Sequence, residues 1–291
     1  MNGLTLAVLS PFLSSIATIF YGEAVRLLNP FVALTFESFI GAIFIFLILI
    51  ARRQKIDFSK IKTHKKDLIL LILTRGIIGN LLITFGLTLS TGIKAIFFTK
   101  AEPYFVIFWF WIFTREKIEK KHLFLLFIHI LGAILLSSGS LGFSFNSGQI
   151  GDFLIIAAVV FYALSYFPAS KVVNHLGALQ TNAITLFISG FVFLPFALLY
   201  YDPSGWSSHI GWIYLVVAAF TFNVLALTFW FASLKTIKGW MVSALRALGP
   251  LVGAPFAIIF FGESLTPIQI AGGAVVLATS FLIAREHFKK K

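Results

Sequence analysis

Cysteine is absent from this chain, and acidic residues are few, 11 against 23 lysines and arginines. Without a thiol there is no disulfide framework, no thiolate metal site and no thiol nucleophile, and redox chemistry is not expected. Charge of either sign is sparse, at 12% of residues, while hydrophobic residues make up 59%. No soluble arrangement of core and surface hides that much apolar side chain, so the chain is read as an integral membrane protein. The formal charge of +12 does not point to nucleic acid. Basic residues lie in short blocks between apolar runs, with no base-stacking or groove-reading motif, and anionic lipid headgroups at the basic loops are the expected neighbours. Neither a GxxxxGKS/T loop nor an HExxH helix is present, and no Ser-His pair or carboxylate pair is recognisable. No cofactor, no metal and no enzymatic activity are therefore expected.

What is there in quantity is long apolar sequence. A helix needs about 20 residues to cross hydrocarbon, and ten runs of roughly that length occur, at 4–21, 31–50, 68–89, 93–113, 122–140, 151–170, 180–200, 211–233, 240–261 and 267–284. They are continuous rather than alternating, which argues against a β-barrel and for an all-α fold. The opening stretch MNGLTLAVLSPFLSSIATIF lacks a positive n-region and a small-residue cleavage site, and is read as a retained first span. The loops after the second and fourth spans and the end of the chain are rich in Lys and Arg, whereas those after the fifth, seventh and ninth contain none. By the positive-inside rule both termini are expected on the cytoplasmic side of a multi-pass protein of the plasma membrane.

Sliding the chain by 147 residues places Gly92 on Gly239, Pro103 on Pro250, Phe113 on Phe260 and Glu116 on Glu263 without a gap. Two units follow, residues 1–145 and 146–291, each with five spans. An odd number of spans inserts the second copy upside down. The loops agree: TREKIEKKH is basic and its counterpart FGESLTPIQ is not. Inverted repeats of this kind recur in secondary transporters, where one repeat rocks against the other around a midplane site.

The ten-span layout, the paired segments around Pro103 and Pro250, Arg75-Gly76 opening the third span, and a Glu some thirteen residues after each proline resemble the EamA family of the drug/metabolite transporter (DMT) superfamily. The first motif reads TREK where Leu-Gly-Glu is more usual. The resemblance implies an exporter or exchanger of small polar or amphipathic metabolites, amino acids among them. It also implies alternating access through a cavity lined by spans 1, 3, 4, 6, 8 and 9, in a monomer or homodimer. A non-transporting lipid-binding scaffold and a membrane-embedded enzyme without a recognisable motif are the alternatives.

Seven ionisable residues lie in or beside the spans: Glu23, Glu37, Arg75, Lys94, Lys100, Glu102 and Arg246. Glu23 and Lys94 are close enough to span ends to snorkel. The other five each cost about 2.5 to 3.5 kcal/mol at a helix centre, so they face protein or water. Lys100 and Glu102, two apart, point to opposite sides of their helix. Lys100 and Glu37 have matched depth and opposite charge, which makes them candidate partners. Pro103 and Pro250 each free a carbonyl one turn earlier, at Thr99 and Arg246. Thr99, Glu102 and Pro103 share one face, and Arg246, Gly249 and Pro250 share the equivalent one. If those faces line a cavity, a carboxylate confronts a guanidinium, with Arg75 adding a cation. Two readings stand open: a pair holding the halves in register, or a site for a zwitterion or anion. Tyr162 and Tyr166 on the sixth span and a Ser10, Ser14 and Thr18 stripe on the first complete the candidate lining, with interhelical hydrogen bonding as an equal explanation. Trp109, Trp111, Trp230 and Trp240 are assigned to an interfacial belt.

Overall fold

The computed structural model describes residues 2–54, 56, 58–114, 120–138, 147–200 and 206–289. Glu116, one half of the repeated proline-glutamate spacing, falls outside them, as do parts of the loops used to assign orientation. Among the described residues the chain is helical throughout, with no strand. We label the helical rods α1 Gly3–Leu27, α2 Pro30–Ala51, α3 Lys65–Leu89, α4 Gly92–Phe113 and α5 Lys120–Ser138. Next come α6, in two segments Ser147–Leu164 and Tyr166–Leu176, α7 Ala178–Leu199, α8 His209–Ser233, α9 Gly239–Phe261 and α10 Pro267–Lys289. Among the described residues, eight helices are long and apolar enough to cross a membrane, while α5 and α10 contain the shorter apolar stretches Leu123–Leu136 and Pro267–Leu282. The all-helical membrane architecture is as expected; ten crossings are met by eight on length and composition.

The ends of these rods carry the residues that end helices. Asn2 and Asn29 accept from backbone N–H groups at the starts of α1 and α2, and Pro30 follows Asn29 where its missing N–H costs nothing. Thr91 caps α4, and Gly262, in the left-handed region at φ 64°, closes α9. Packing within the bundle relies on close backbone approach. A Cβ on Gly272 would lie 2.6 Å from the carbonyl oxygen of Gly132, so α5 and α10 meet where neither has a side chain.

Four rods depart from α-geometry, in two related pairs. α3 is π-helical over Ile72–Gly79 and α8 over Phe220–Ala226. α4 tightens into a 3-10 turn at Thr99–Ala101 and α9 into one at Arg246–Leu248. An offset of 147 carries the first 3-10 turn onto the second, and the last residue of the first π segment onto the last of the second. The proline carbonyls are not left open, as the sequence suggested. Glu102 N–H donates to Thr99 O and Gly249 N–H to Arg246 O, because a 3-10 turn supplies the bond that the proline ring cannot. In α8 the loosened carbonyls find side chains: Ser10 Oγ donates to Ala226 O at 2.8 Å and Asn182 Nδ2 to Asn223 O at 2.6 Å. Irregular backbone at this depth survives only with such partners or beside a cavity.

Candidate functional site

The four irregular helices meet around one cavity of about 50 Å³, room for a few water molecules but not for a metabolite. From α3, Arg75, Asn80 and Thr84 face the cavity; from α4, Thr99 and Lys100; from α9, Arg246. Ser14, Thr18 and Tyr21 of α1, Tyr162 of α6 and Phe222 of α8 complete most of the wall. Glu37 of α2 also lines it, a helix absent from the expected set. Tyr162 donates its hydroxyl to Asn80 Oδ1 at 2.8 Å, and Tyr21 and Thr84 share a hydrogen bond of 2.8 Å.

Arg246 Nε lies 2.6 Å from Glu102 Oε2, with both side chains almost wholly buried. The structure thus joins the two repeat-related breaks by an ion pair. Only Arg246 reaches the cavity wall; Glu102 stands behind it, and Glu102 Oε1 has no hydrogen-bond partner. The expectation that Glu102 faces the cavity is corrected. Both side chains reach α9: Lys100 comes to Gly249 and lines the cavity, while Glu102 turns to the Arg246 guanidinium. The carboxylate on the cavity wall is that of Glu37.

Lys100 and Glu37 line the same cavity without forming an ion pair among the described residues. Equal depth along two helices does not fix which way each side chain points around them, so matched depth was an insufficient criterion. Lys100 instead approaches α9: a Cβ built on Gly249 would lie 2.9 Å from Lys100 Nζ and 2.4 Å from Ser15 Oγ. Arg75 forms no ion pair among the described residues and rests on aromatic rings. Its guanidinium sits 4.8 Å from the Tyr162 ring centre and 4.1 Å from that of Trp230, with Ser165 Oγ at 3.5 Å from Nη1. Trp230 is therefore no belt residue; it is 1% exposed and packs edge-on against Tyr166. Tyr166 does not line the cavity either. Both belong to an apolar plug with Leu71, Val106, Phe231 and Val242 that fills the basic-loop end of the bundle. Position near a span end does not distinguish a lipid-facing ring from an inward one.

At the other end, Lys94 does more than snorkel. Its Nζ lies 3.3 Å from Asp152 Oδ2, and Asp152 also accepts from Ser90 Oγ. Arg26 pairs with Glu23 and donates to the Ser90 carbonyl. Asp152, missed in the sequence, is legible only as a lone acid one turn into α6. Glu263 accepts from Gly92 N–H at 3.1 Å and Ile93 N–H at 2.8 Å. The acid that follows Pro250 thus caps the first turn of α4, where the helix dipole favours a negative charge.

The model of the EamA-like transporter family matches residues 1–138 and again 149–285. The chain belongs to this family. The two matches cover both halves of the internal repeat. An uncharacterized transporter, YetK, of Bacillus subtilis is 28% identical over 68% of the chain, and that alignment spans 64% of YetK's length. The pseudopaline exporter CntI of Pseudomonas aeruginosa is 24% identical over 98% of this chain and 96% of its own. A probable amino-acid metabolite efflux pump of Salmonella typhimurium is 25% identical over 69% and 75%. A crystal structure shares the fold, with a TM-score of 0.69 at 15% identity over 96% of this chain and 98% of that one. As a member of the EamA-like family the chain is a multi-pass membrane transporter, and the irregular helices around Arg75 and Arg246 are where its two family matches meet.

Proposed function

We propose that the protein is a secondary carrier that exports or exchanges small polar or amphipathic metabolites, amino acids among them, across the plasma membrane by alternating access. The observation that carries this reading is the cavity at the repeat-related helix breaks, walled by Arg75, Lys100 and Arg246. A carrier binds cargo where its halves meet, and buried cations on a water-sized cavity are costly to keep for packing alone. The names of the Pseudomonas and Salmonella relatives support outward movement of small metabolites. On this reading Arg246, Arg75, Lys100, Thr99, Tyr162 and Ser14 contact cargo. Glu102 holds Arg246 in place, and Pro103, Gly249 and Pro250 shape the breaks. Residues 1–145 and 146–291 are the two rocking units, the second inverted, with both termini cytoplasmic. The working unit is a monomer or homodimer whose basic loops touch anionic headgroups.

Counterflow in proteoliposomes tests the function. Accumulation of labelled amino acid against preloaded unlabelled amino acid is expected for the wild type and at least tenfold less for Arg246→Gln. Equal flux with protein-free vesicles, across an amino-acid panel, favours a scaffold instead.

A further inference from the structure

Charge around the cavity does not balance. Arg75, Lys100 and Arg246 contribute three cations to the wall and Glu37 one carboxylate. Glu102 offsets Arg246 from behind at 2.6 Å. Counting all five groups leaves one positive charge over. Neither Arg75 nor Lys100 has a carboxylate partner among the described residues, although they are 4% and 2% exposed. The Arg75 guanidinium lies against the rings of Tyr162 and Trp230 and touches Ser165 Oγ with Nη1 at 3.5 Å, so its other N–H groups can serve a planar anion. Lys100 sits beside Ser15 and the bare backbone of Gly249, where a Cβ would come within 2.9 Å of its Nζ. The missing side chain keeps space around the ammonium.

A buried charge whose partner is absent costs several kcal/mol, whereas one that meets an opposite charge recovers most of that. When the halves part, water solvates Lys100, Arg75 and Glu37. On reclosure a ligand must replace that water. A monoanion with two acid groups and one amine leaves the wall neutral, with acids toward Lys100 and Arg75 and the amine toward Glu37. A neutral zwitterion leaves one cation unmatched, and a cationic amino acid leaves two.

We infer, on the carrier reading above, that the preferred cargo is a small amino acid bearing a second acid group, and that Lys100 is the residue that selects it over neutral analogues. Glutamate and glutamine are the discriminating probes because they share size and shape and differ by one charge. In counterflow, which needs no driving ion, the wild type is expected to take up glutamate at least tenfold better than glutamine. Lys100→Gln removes the surplus cation and should bring the glutamate-to-glutamine ratio to near one. Wild-type flux of glutamine equal to or above that of glutamate overturns the charge inference and leaves the carrier reading intact. No flux of glutamate, glutamine, phenylalanine or lysine overturns both. A wild-type preference for glutamate that survives Lys100→Gln removes the role of Lys100. If that variant does not fold, the wild-type ratio alone decides the cargo charge, and Lys100→Arg, which keeps the cation, should retain it.

Discussion

The two 3-10 turns are the same backbone device with unlike side chains. In α4 the turn at Thr99–Ala101 carries Lys100 toward the cavity and is followed by Glu102 and Pro103; in α9 the turn at Arg246–Leu248 is followed by Gly249 and Pro250. Position for position, Thr99 corresponds to Arg246, Lys100 to Ala247 and Glu102 to Gly249. The π segments divide in the same way, since Arg75 corresponds to Phe222 and both line the cavity. The two halves therefore share the breaks and differ in the charges beside them. One half supplies the acid and the other its guanidinium. The small residue in α9 makes room for the lysine in α4.

The largest effect is expected from breaking that division at its ion pair. Glu102→Gln leaves the Arg246 guanidinium buried without its counter-charge and should lower stability by about 3 to 5 kcal/mol. Glu102→Gln with Arg246→Gln should cost less than the sum of the two, because no charge is left alone. Thermal unfolding of purified protein in detergent checks both, and additive losses would show that the pair does not couple the halves. Placing a methyl on the bare side of the comparison comes next. Gly249→Ala brings a carbon within 2.4 Å of Ser15 Oγ and 3.2 Å of the Pro11 carbonyl, so backbone must shift and not only Lys100. A loss of about 1 to 3 kcal/mol is expected, seen in the same melts.

A smaller effect is expected where the second repeat touches the start of α4. Glu263→Ala removes the acceptor of Gly92 and Ile93 N–H and should cost about 0.5 to 2 kcal/mol, as for other N-terminal caps. Amide exchange at Gly92 and Ile93 should quicken while that at Gly239 does not. The smallest change concerns orientation alone. Ser147 and Ser59 are both exposed, at the start of α6 and in the helix Phe58–Thr63 before α3. In this chain without cysteine, Ser147→Cys should react with an impermeant thiol reagent from outside intact cells and Ser59→Cys only after lysis. The reverse pattern would invert the order of the halves without disturbing the comparison between their breaks.

The sequence by itself determined the membrane class, the helix positions and the register of the repeat. Those follow from hydropathy over about 20 residues and from proline chemistry, both local to the chain. Pro103 and Pro250 placed the breaks, and Arg246 and Glu102 were legible as opposite charges on the matching helical faces beside them. Only the tertiary structure decided which charges face the cavity. Lys100 rather than Glu102 lines it, Glu37 stands on the same wall without joining Lys100, and Tyr166 and Trp230 turn into the plug while Tyr162 stays at the wall. Rotation of a helix about its axis, and the rotamers on it, depend on what the neighbouring helices offer. In a span that is apolar on every side, no periodic stripe records that choice. The π segment of α8 was unreadable for the same reason: its loosened carbonyls are stabilised by Ser10 and Asn182, side chains that come from other helices.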